Sequence, residues 1–259
     1  MTAKSADWSR RYEGDEPVRL NKWLAQSGVC SRREAEGLIT DGLVSIDGEA
    51  VEDLGRKILP GQTVALLGNA VGAGVKFTAV VNKPVGYVSS QPEKGQIPAA
   101  RLITREHAHG AVSFIPRRDA SLPPLGRLDQ ESRGLLLLSE DGVLAKAIIG
   151  PDSGMEKEYR VRVAGPITPG KVDRLRHGLS LDGRALKPAK IDRLGEGVLR
   201  FTLIEGRNRQ IRRMCRAVDL KVVDLLRLRI GPLKLGGLPE GKWRPLSEEE
   251  RRALIESDG

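Results

Sequence analysis

The stretch Gly126-Arg127-Leu128-Asp129-Gln130-Glu131-Ser132-Arg133-Gly134-Leu135 decides how this chain is read. A carboxylate stands two residues after an arginine. The stretch is entered through Pro123 and Pro124 and leaves into the apolar run Leu135 to Leu138. That is a loop feeding a buried strand, and loops on rigid scaffolds carry function disproportionately. On spacing alone, Asp129 is either a turn carboxylate paired with a neighbouring arginine or a reacting group.

The rest of the chain narrows the choice. Its 259 residues suit one large domain or two unequal ones, and 39% apolar residues suffice for a core. Lys and Arg number 43 against 34 Asp and Glu, a formal charge of +9. Such a surplus favours an anionic partner, nucleic acid above all, although a basic soluble protein without one has the same balance. Cys30 and Cys215 stand far apart, and with only three His a zinc site is not expected. The cysteines read as small core residues in a reducing compartment. The polar start, Met1 to Pro17, has no apolar segment of a signal peptide, and no run approaches a membrane span. The expectation is a soluble cytoplasmic protein, a monomer by default.

Along the chain, residues 1–17 read as a flexible arm and 18–67 as a compact unit. Residues 68–74 are a Gly/Ala-rich linker, 75–246 a larger domain, and 247–259 a tail that adds a last helix or frays. In the first unit Leu20, Leu24 and Ala25 share a helix face, with Gly28 suited to its end. Ser31 and Glu34 have capping-box spacing for a second helix, whose buried stripe is Ala35, Leu38 and Ile39 and whose end is Gly42. Asp47-Gly48 marks a hairpin turn. Between Ser90 and Gly126 lies a longer stretch holding Arg101, Arg105, His107, His109, Arg117 and Arg118. Loops above about a dozen residues are usually functional or disordered, and a basic, partly mobile RNA-facing loop is expected.

Residues 207–216, R-N-R-Q-I-R-R-M-C-R, make an amphipathic helix when wound. Arg209, Arg212, Arg213 and Arg216 fall on one face, and Ile211, Met214, Cys215 and Val218 on the other. A guanidinium stripe suits phosphates, though the same spacing fits a plain solvated face. Residues 156–163 alternate as a half-buried strand, in which Tyr159 is either a core aromatic or a stacking surface with an oxygen at its tip.

Three of these segments resemble, in order, the active-site motifs of the pseudouridine synthases. Gly126 to Leu135 matches G-R-L-D-x-x-[ST]-x-G-L at every fixed position, Lys157-x-Tyr159-x-Val161 is similar to the second motif, and residues 205–214 to the third. The resemblance implies that Asp129 is the essential catalytic residue, that Tyr159 lies against the target uracil and assists proton removal, and that Arg212 pairs with Asp129. An Asp is ionised at neutral pH without help, so the role of Arg212 is mainly positioning. No cofactor or metal is implied. The target uridine has to be flipped out of its stack, and Arg127 would fill the gap or hold a phosphate. Asn82-Lys83-Pro84-x-Gly86 resembles the segment bordering the cleft, with Lys83 an RNA contact or the Pro-Gly pair simply a turn. Arg207, Asn208, Arg209, Gln210, Arg213 and Arg216 complete the expected RNA face.

A second resemblance covers the first unit. R-L-N-x-W-L-A-x-x-G-x-x-S-R-R-E-A-E-x-x-I-x-x-G-x-V-x-I-D-G, from Arg19 to Gly48, resembles the alpha-L RNA-binding domain. There two helices pack on a small sheet and their cations, here Arg19, Lys22, Arg32 and Arg33, contact phosphates. Asp47 replaces the Asn usual before Gly, and both suit a tight turn. Together the two resemblances imply an α+β fold, a small alpha-L domain followed by a mixed, mostly antiparallel sheet with flanking helices. They point to the bacterial branch that modifies ribosomal RNA, and Asn208 to Cys215 with the closing Gly236 to Leu246 most resemble the RluF-like large-subunit members. The implied reaction is isomerisation of uridine in ribosomal RNA. The alternatives are the same chemistry on small-subunit or transfer RNA, and a catalytically inactive RNA-binding or ribosome-assembly factor.

Overall fold

The computed structural model describes residues 6–27, 29–30, 32–67, 77–90, 92–112, 114–116 and 122–257, without the side chains of Ala6, Asp7 and Arg33. Gly28, Ser31, the 68–74 linker, Arg117, Arg118 and the Arg33 side chain therefore lie outside the described residues. The chain divides into two compact units, one of residues 1–76 with 141–143 and the other of residues 77–140 and 144–259. Among the described residues no helix is long and apolar enough to cross a membrane.

The first unit runs β1 (Ala6–Arg11), β2 (Val18–Arg19), α1 (Leu20–Gln26), α2 (Arg32–Thr40), β3 (Val44–Ile46), β4 (Glu49–Ala50), β5 (Lys57–Ile58) and β6 (Thr63–Leu67). Leu20, Leu24, Ala35 and Ile39, all fully buried, meet Val44, Ile46, Val64 and Leu66 from the sheet. The period of 3.6 on the helices and of 2 on the strands delivers these residues to one core. Gly42, at φ 63°, closes α2. Asp47 and Gly48, both at positive φ, make the β3–β4 turn, the geometry that two-residue hairpins favour. The Asp47 carboxylate also accepts the Thr63 N–H at 2.7 Å.

The reading of residues 1–17 as a flexible arm is corrected for residues 6–12. β1 pairs antiparallel with β6, and the order of the sheet is β1-β6-β3-β4. Trp8 and Tyr12 pack their rings 5.9 and 6.0 Å from Trp23. The charged residues around Trp8 mask a strand whose anchoring rests on those two aromatics.

The second unit contains β7 (Thr78–Lys83), β8 (Tyr87–Val88), β9 (Ile97–Pro98), β10 (Arg133–Ser139), α3 (Gly142–Ile149), β11 (Lys157–Ala164), α4 (Pro169–Arg176), β12 (Ser180–Leu181) and β13 (Arg184–Ala185). It continues with β14 (Lys190–Gly195), β15 (Val198–Leu203), α5 (Gln210–Ala217), β16 (Lys221–Ile230), β17 (Leu233–Lys234), β18 (Trp243–Pro245) and α6 (Glu248–Glu256). The central sheet has the order β14-β15-β11-β16-β10-β7-β18. Every pairing along it is antiparallel except β10 with β16. This is the mixed, mostly antiparallel sheet with flanking helices that the resemblance implied.

The leucine run of β10 is buried on both faces because both are covered. Leu135 and Leu137 pack with α3 and α6 through Leu144, Ile148 and Leu254. Leu136 and Leu138 pack with Ala79, Val81, Leu128 and Trp243. The tail thus closes the core through α6, started by a complete capping box between Ser247 and Glu250. On the other half of the sheet Val161, Val163, Leu199 and Phe201 meet α4 and α5. Cys30 and Cys215 are buried, unbonded thiols pushed up to about 12 by burial, which makes them inert packing groups.

Residues 92–112 are less loop-like than expected. They contain β9 and a 3-10 turn at Ala99–Leu102, with Leu102 and Ile103 in the core. His107 and His109 exchange backbone hydrogen bonds with Trp243, and the Trp243 indole donates to the Thr104 carbonyl at 2.8 Å. This part of the stretch is a packed layer on β18.

Candidate active site

The stretch Gly126 to Ser132 crosses the rim of a cavity of about 770 Å³ in the second unit. Asp129, Tyr159, Arg209, Arg212 and Arg227 all line it. The loop is fixed at several points. Ser89, buried on the neighbouring segment, accepts the Leu128 N–H at 2.9 Å and donates to the Leu128 carbonyl at 2.8 Å. The Gly86 N–H donates to the Gln130 carbonyl, and the Ser132 N–H to the Asp129 carbonyl. Leu128 sits in the core. The backbone on both sides of Asp129 is therefore held, and its side chain is three-quarters buried.

Arg212 projects from α5 with its Nε 3.6 Å from Asp129 Oδ2. Its Nη2 donates to the Glu131 carbonyl at 2.9 Å and to Ser132 Oγ at 3.1 Å. Those two bonds aim the guanidinium along the Asp129 carboxylate. Arg209 lies 3.9 Å from the same oxygen and is hydrogen-bonded to Glu131 at 2.8 Å. The Arg209 bond holds the Glu131 carboxyl below the usual range. Both contacts to Asp129 exceed hydrogen-bond length, so the carboxylate is oriented by charge without being bonded to either arginine. Tyr159 enters the cavity from β11, where the register against β16 shifts between Glu158 and Tyr159. Bulges beside sites re-aim a side chain in this way.

The structure thus brings Asp129, Tyr159 and Arg212 together, as the three motifs implied. It divides the expected RNA-contact residues. Arg127 and Asn208 are exposed at the cavity rim, and Arg19, Lys22, Arg32 and Arg216 are exposed. The uniform arginine stripe is corrected. Helix α5 begins only at Gln210, and Arg209 is its N-cap in the left-handed region at φ 50°. Arg207 is an internal clamp, since its guanidinium donates to the carbonyls of Leu181, Arg184 and Ala185 across β12 and β13. Gln210 is buried and bonds Glu205 and the Arg207 N–H. Arg213 forms a two-bond pair with Asp182 in the turn of the same hairpin. The buried face of Ile211, Met214, Cys215 and Val218 is as its spacing predicts.

Lys83 is also corrected. It is fully buried, and its ammonium donates to the carbonyls of Pro84 at 2.8 Å and Tyr87 at 2.7 Å. It shapes the turn that carries Gly86 and Ser89 against the Asp129 loop, and does not face RNA. Burial pushes its pKa down from 10.5 to about 8, nearby Arg227 adds to the fall, and Asp129 opposes it. In the unfolded chain the proton is held to higher pH, so the unfolded state binds more protons between about 8 and 10.5. Relative to Lys83→Met, the native protein should therefore gain about 1.4 kcal/mol per pH unit above pH 8. Urea unfolding of both proteins at pH 7 to 9.5 checks this, and a constant difference across that range would contradict it. Taking the difference cancels the opposite slope that the buried cysteines introduce above pH 9.

Two contributors escape a reading of sequence alone. Ser89 has no local signal. Arg227 has one, a charge at a core-facing position of the run Leu225 to Leu228.

Comparison with known proteins identifies both domains. The family described as RNA pseudouridylate synthase matches residues 78–217, and the S4 domain, the alpha-L module, matches residues 18–64. The dual-specificity RNA pseudouridine synthase RluF of Escherichia coli strain K12 is 36% identical over 239 residues, covering 91% of this chain and 78% of that one. An uncharacterised RNA pseudouridine synthase of Aquifex aeolicus strain VF5 is 37% identical over 247 residues, covering 93% of this chain and 95% of that one. A crystal structure of a pseudouridylate synthase superposes with a TM-score of 0.63 at 29% identity, covering 92% of this chain and 99% of that one. The chain belongs to the RNA pseudouridylate synthase family, as a member with an N-terminal S4 domain.

Proposed function

We propose that this RNA pseudouridine synthase acts on ribosomal RNA of the large subunit, with Asp129 as the reacting carboxylate. The observation that carries the reading is the Asp129 carboxylate at the cavity, 3.6 Å from Arg212 and 3.9 Å from Arg209, with Tyr159 on the cavity wall. The bond from the sugar to the uracil nitrogen has to break, the base has to turn, and a bond to carbon five has to form. Asp129 either attacks covalently, at the anomeric carbon or at ring carbon six, or stabilises the sugar cation. Arg212 keeps it aimed, and Tyr159 assists removal of the proton from carbon five while the ring nitrogen released from the sugar takes up a proton, so that none is gained or lost overall. Arg127, exposed beside the cavity, fills the space left by the flipped uridine or holds a phosphate. The S4 domain supplies affinity through Arg19, Lys22, Arg32 and Arg33, so binding weakens steeply with salt. The protein works as a monomer in the cytoplasm.

The test is incubation of the purified protein with unmodified large-subunit RNA, small-subunit RNA and transfer RNA, followed by pseudouridine mapping. A site in the large-subunit RNA is expected. Transfer RNA belongs in the panel because the Escherichia coli relative is named as having dual specificity. Modification confined to the small-subunit RNA would overturn the assignment.

A further inference from the structure

Strand β16 places Arg227 among leucines, and only 3% of it is exposed. A buried guanidinium without a carboxylate is costly by several kcal/mol, and the contacts of this one are carbonyl oxygens. Its Nε donates to the Leu135 carbonyl at 2.6 Å and its Nη1 to the Arg127 carbonyl at 3.4 Å. Nη2 is buried without a hydrogen-bond partner. The two carbonyls lie near the two ends of the Asp129 loop, so one side chain ties both ends together. Its backbone has a second role. Residue 227 pairs with Gly134 of β10 on one side and with Tyr159 of β11 on the other. The side chain also lines the cavity.

We propose that Arg227 is a positioning residue that sets the Asp129 loop against Tyr159. The inference rests on the assignment of Asp129 and Tyr159 to the chemistry. An arginine retained in a core, with one nitrogen unsatisfied and, among the described residues, no carboxylate partner, is not explained by stability, since taking a lone guanidinium out of water is itself costly. It is explained if the cation holds the loop carbonyls where a longer or neutral contact would let them drift. A misplacement of about 1 Å at a reacting group is enough for a rate loss on the order of 100-fold.

The test compares Arg227→Met, Arg227→Lys and Asp129→Asn with the full-length wild type on an RNA that the wild type modifies, with rates normalised to folded protein. For Arg227→Met the expected result, per folded molecule, is kcat lowered about 100-fold with KM for RNA within about twofold, alongside a melting temperature lowered by the loss of two carbonyl contacts. Arg227→Lys, which keeps the charge and one carbonyl contact, should recover part of kcat. Wild-type kcat in Arg227→Met, or a loss that follows the folded fraction or appears in KM, would overturn the proposal. If Asp129→Asn stays active, the reading of the site fails. If Asp129→Asn is inactive while Arg227→Met is normal, the role of Arg227 alone fails.

Discussion

Asp129→Asn is expected to slow isomerisation by at least about 10³-fold while RNA affinity stays within about twofold. Asn keeps the size of the side chain and one oxygen, so the fixed backbone around Leu128 and Ser132 should be undisturbed. What disappears is the negative charge, and with it the nucleophile or the counter-charge to a sugar cation. The substitution also leaves Arg209 and Arg212 facing a neutral group, although both remain bonded to Glu131 or its backbone. Affinity should hold because phosphate contacts are made by cations and not by this carboxylate. Single-turnover rates at saturating RNA, with binding measured separately, check the split. A loss of affinity equal to the loss of rate would mean that Asp129 organises the binding surface and does not react.

Gly134→Ala should destabilise the fold by about 3 kcal/mol or more, through two mechanisms that add. Gly134 has φ +104°, a region that side-chain-bearing residues rarely adopt. A Cβ there would also run into the Arg227 carbonyl and lie 2.7 Å from Leu226 Cδ1 and 2.8 Å from the Arg227 N. Gly134 is flanked on both sides, by Lys83 in β7 and by Arg227 in β16, so the backbone cannot shift without breaking a ladder. The parallel β10–β16 pair is close here because one partner has no side chain. For a chain of this size that loss corresponds to a melting temperature lower by roughly 10 °C. Gly86→Ala is the control, since Gly86 also has positive φ but open space around it, and it should cost only the strain, about 1 kcal/mol. Equal effects of the two substitutions in thermal unfolding would contradict the clash. The glycine of the Ser132-Arg133-Gly134-Leu135 segment is thus explained by the close packing of β10 on β16.

Much of this molecule is legible in its sequence because its strongest patterns are local. The alternation of Val161 and Val163, the leucine run of β10, the Asp47-Gly48 turn and the apolar face of α5 each follow from one periodicity or one turn rule. The proposed catalytic trio is another matter. Asp129, Tyr159 and Arg212 come from a loop, a strand and a helix, and only the family resemblance links them. The failures have a common cause, since a cation's destination is set by tertiary contacts. Arg207, Arg209, Arg212 and Arg213 look equivalent in sequence. One clamps a hairpin, one caps a helix in the left-handed region, one aims at Asp129 and one pairs with Asp182. Lys83 and Arg227 are charges on buried strands, where charged residues are rare. β1 was hidden for the opposite reason, because its anchoring residues Trp8 and Tyr12 sit within a charged segment and find their partner, Trp23, on a helix.

The most direct measurement is pseudouridine mapping of ribosomal RNA from cells lacking this gene, complemented with the wild type or with Asp129→Asn. One large-subunit site should vanish in the deletion, return with the wild type and stay absent with Asp129→Asn expressed at the same level. A map unchanged by the deletion, or restored by Asp129→Asn, would contradict the assignment of Asp129 as the residue that isomerises ribosomal uridine.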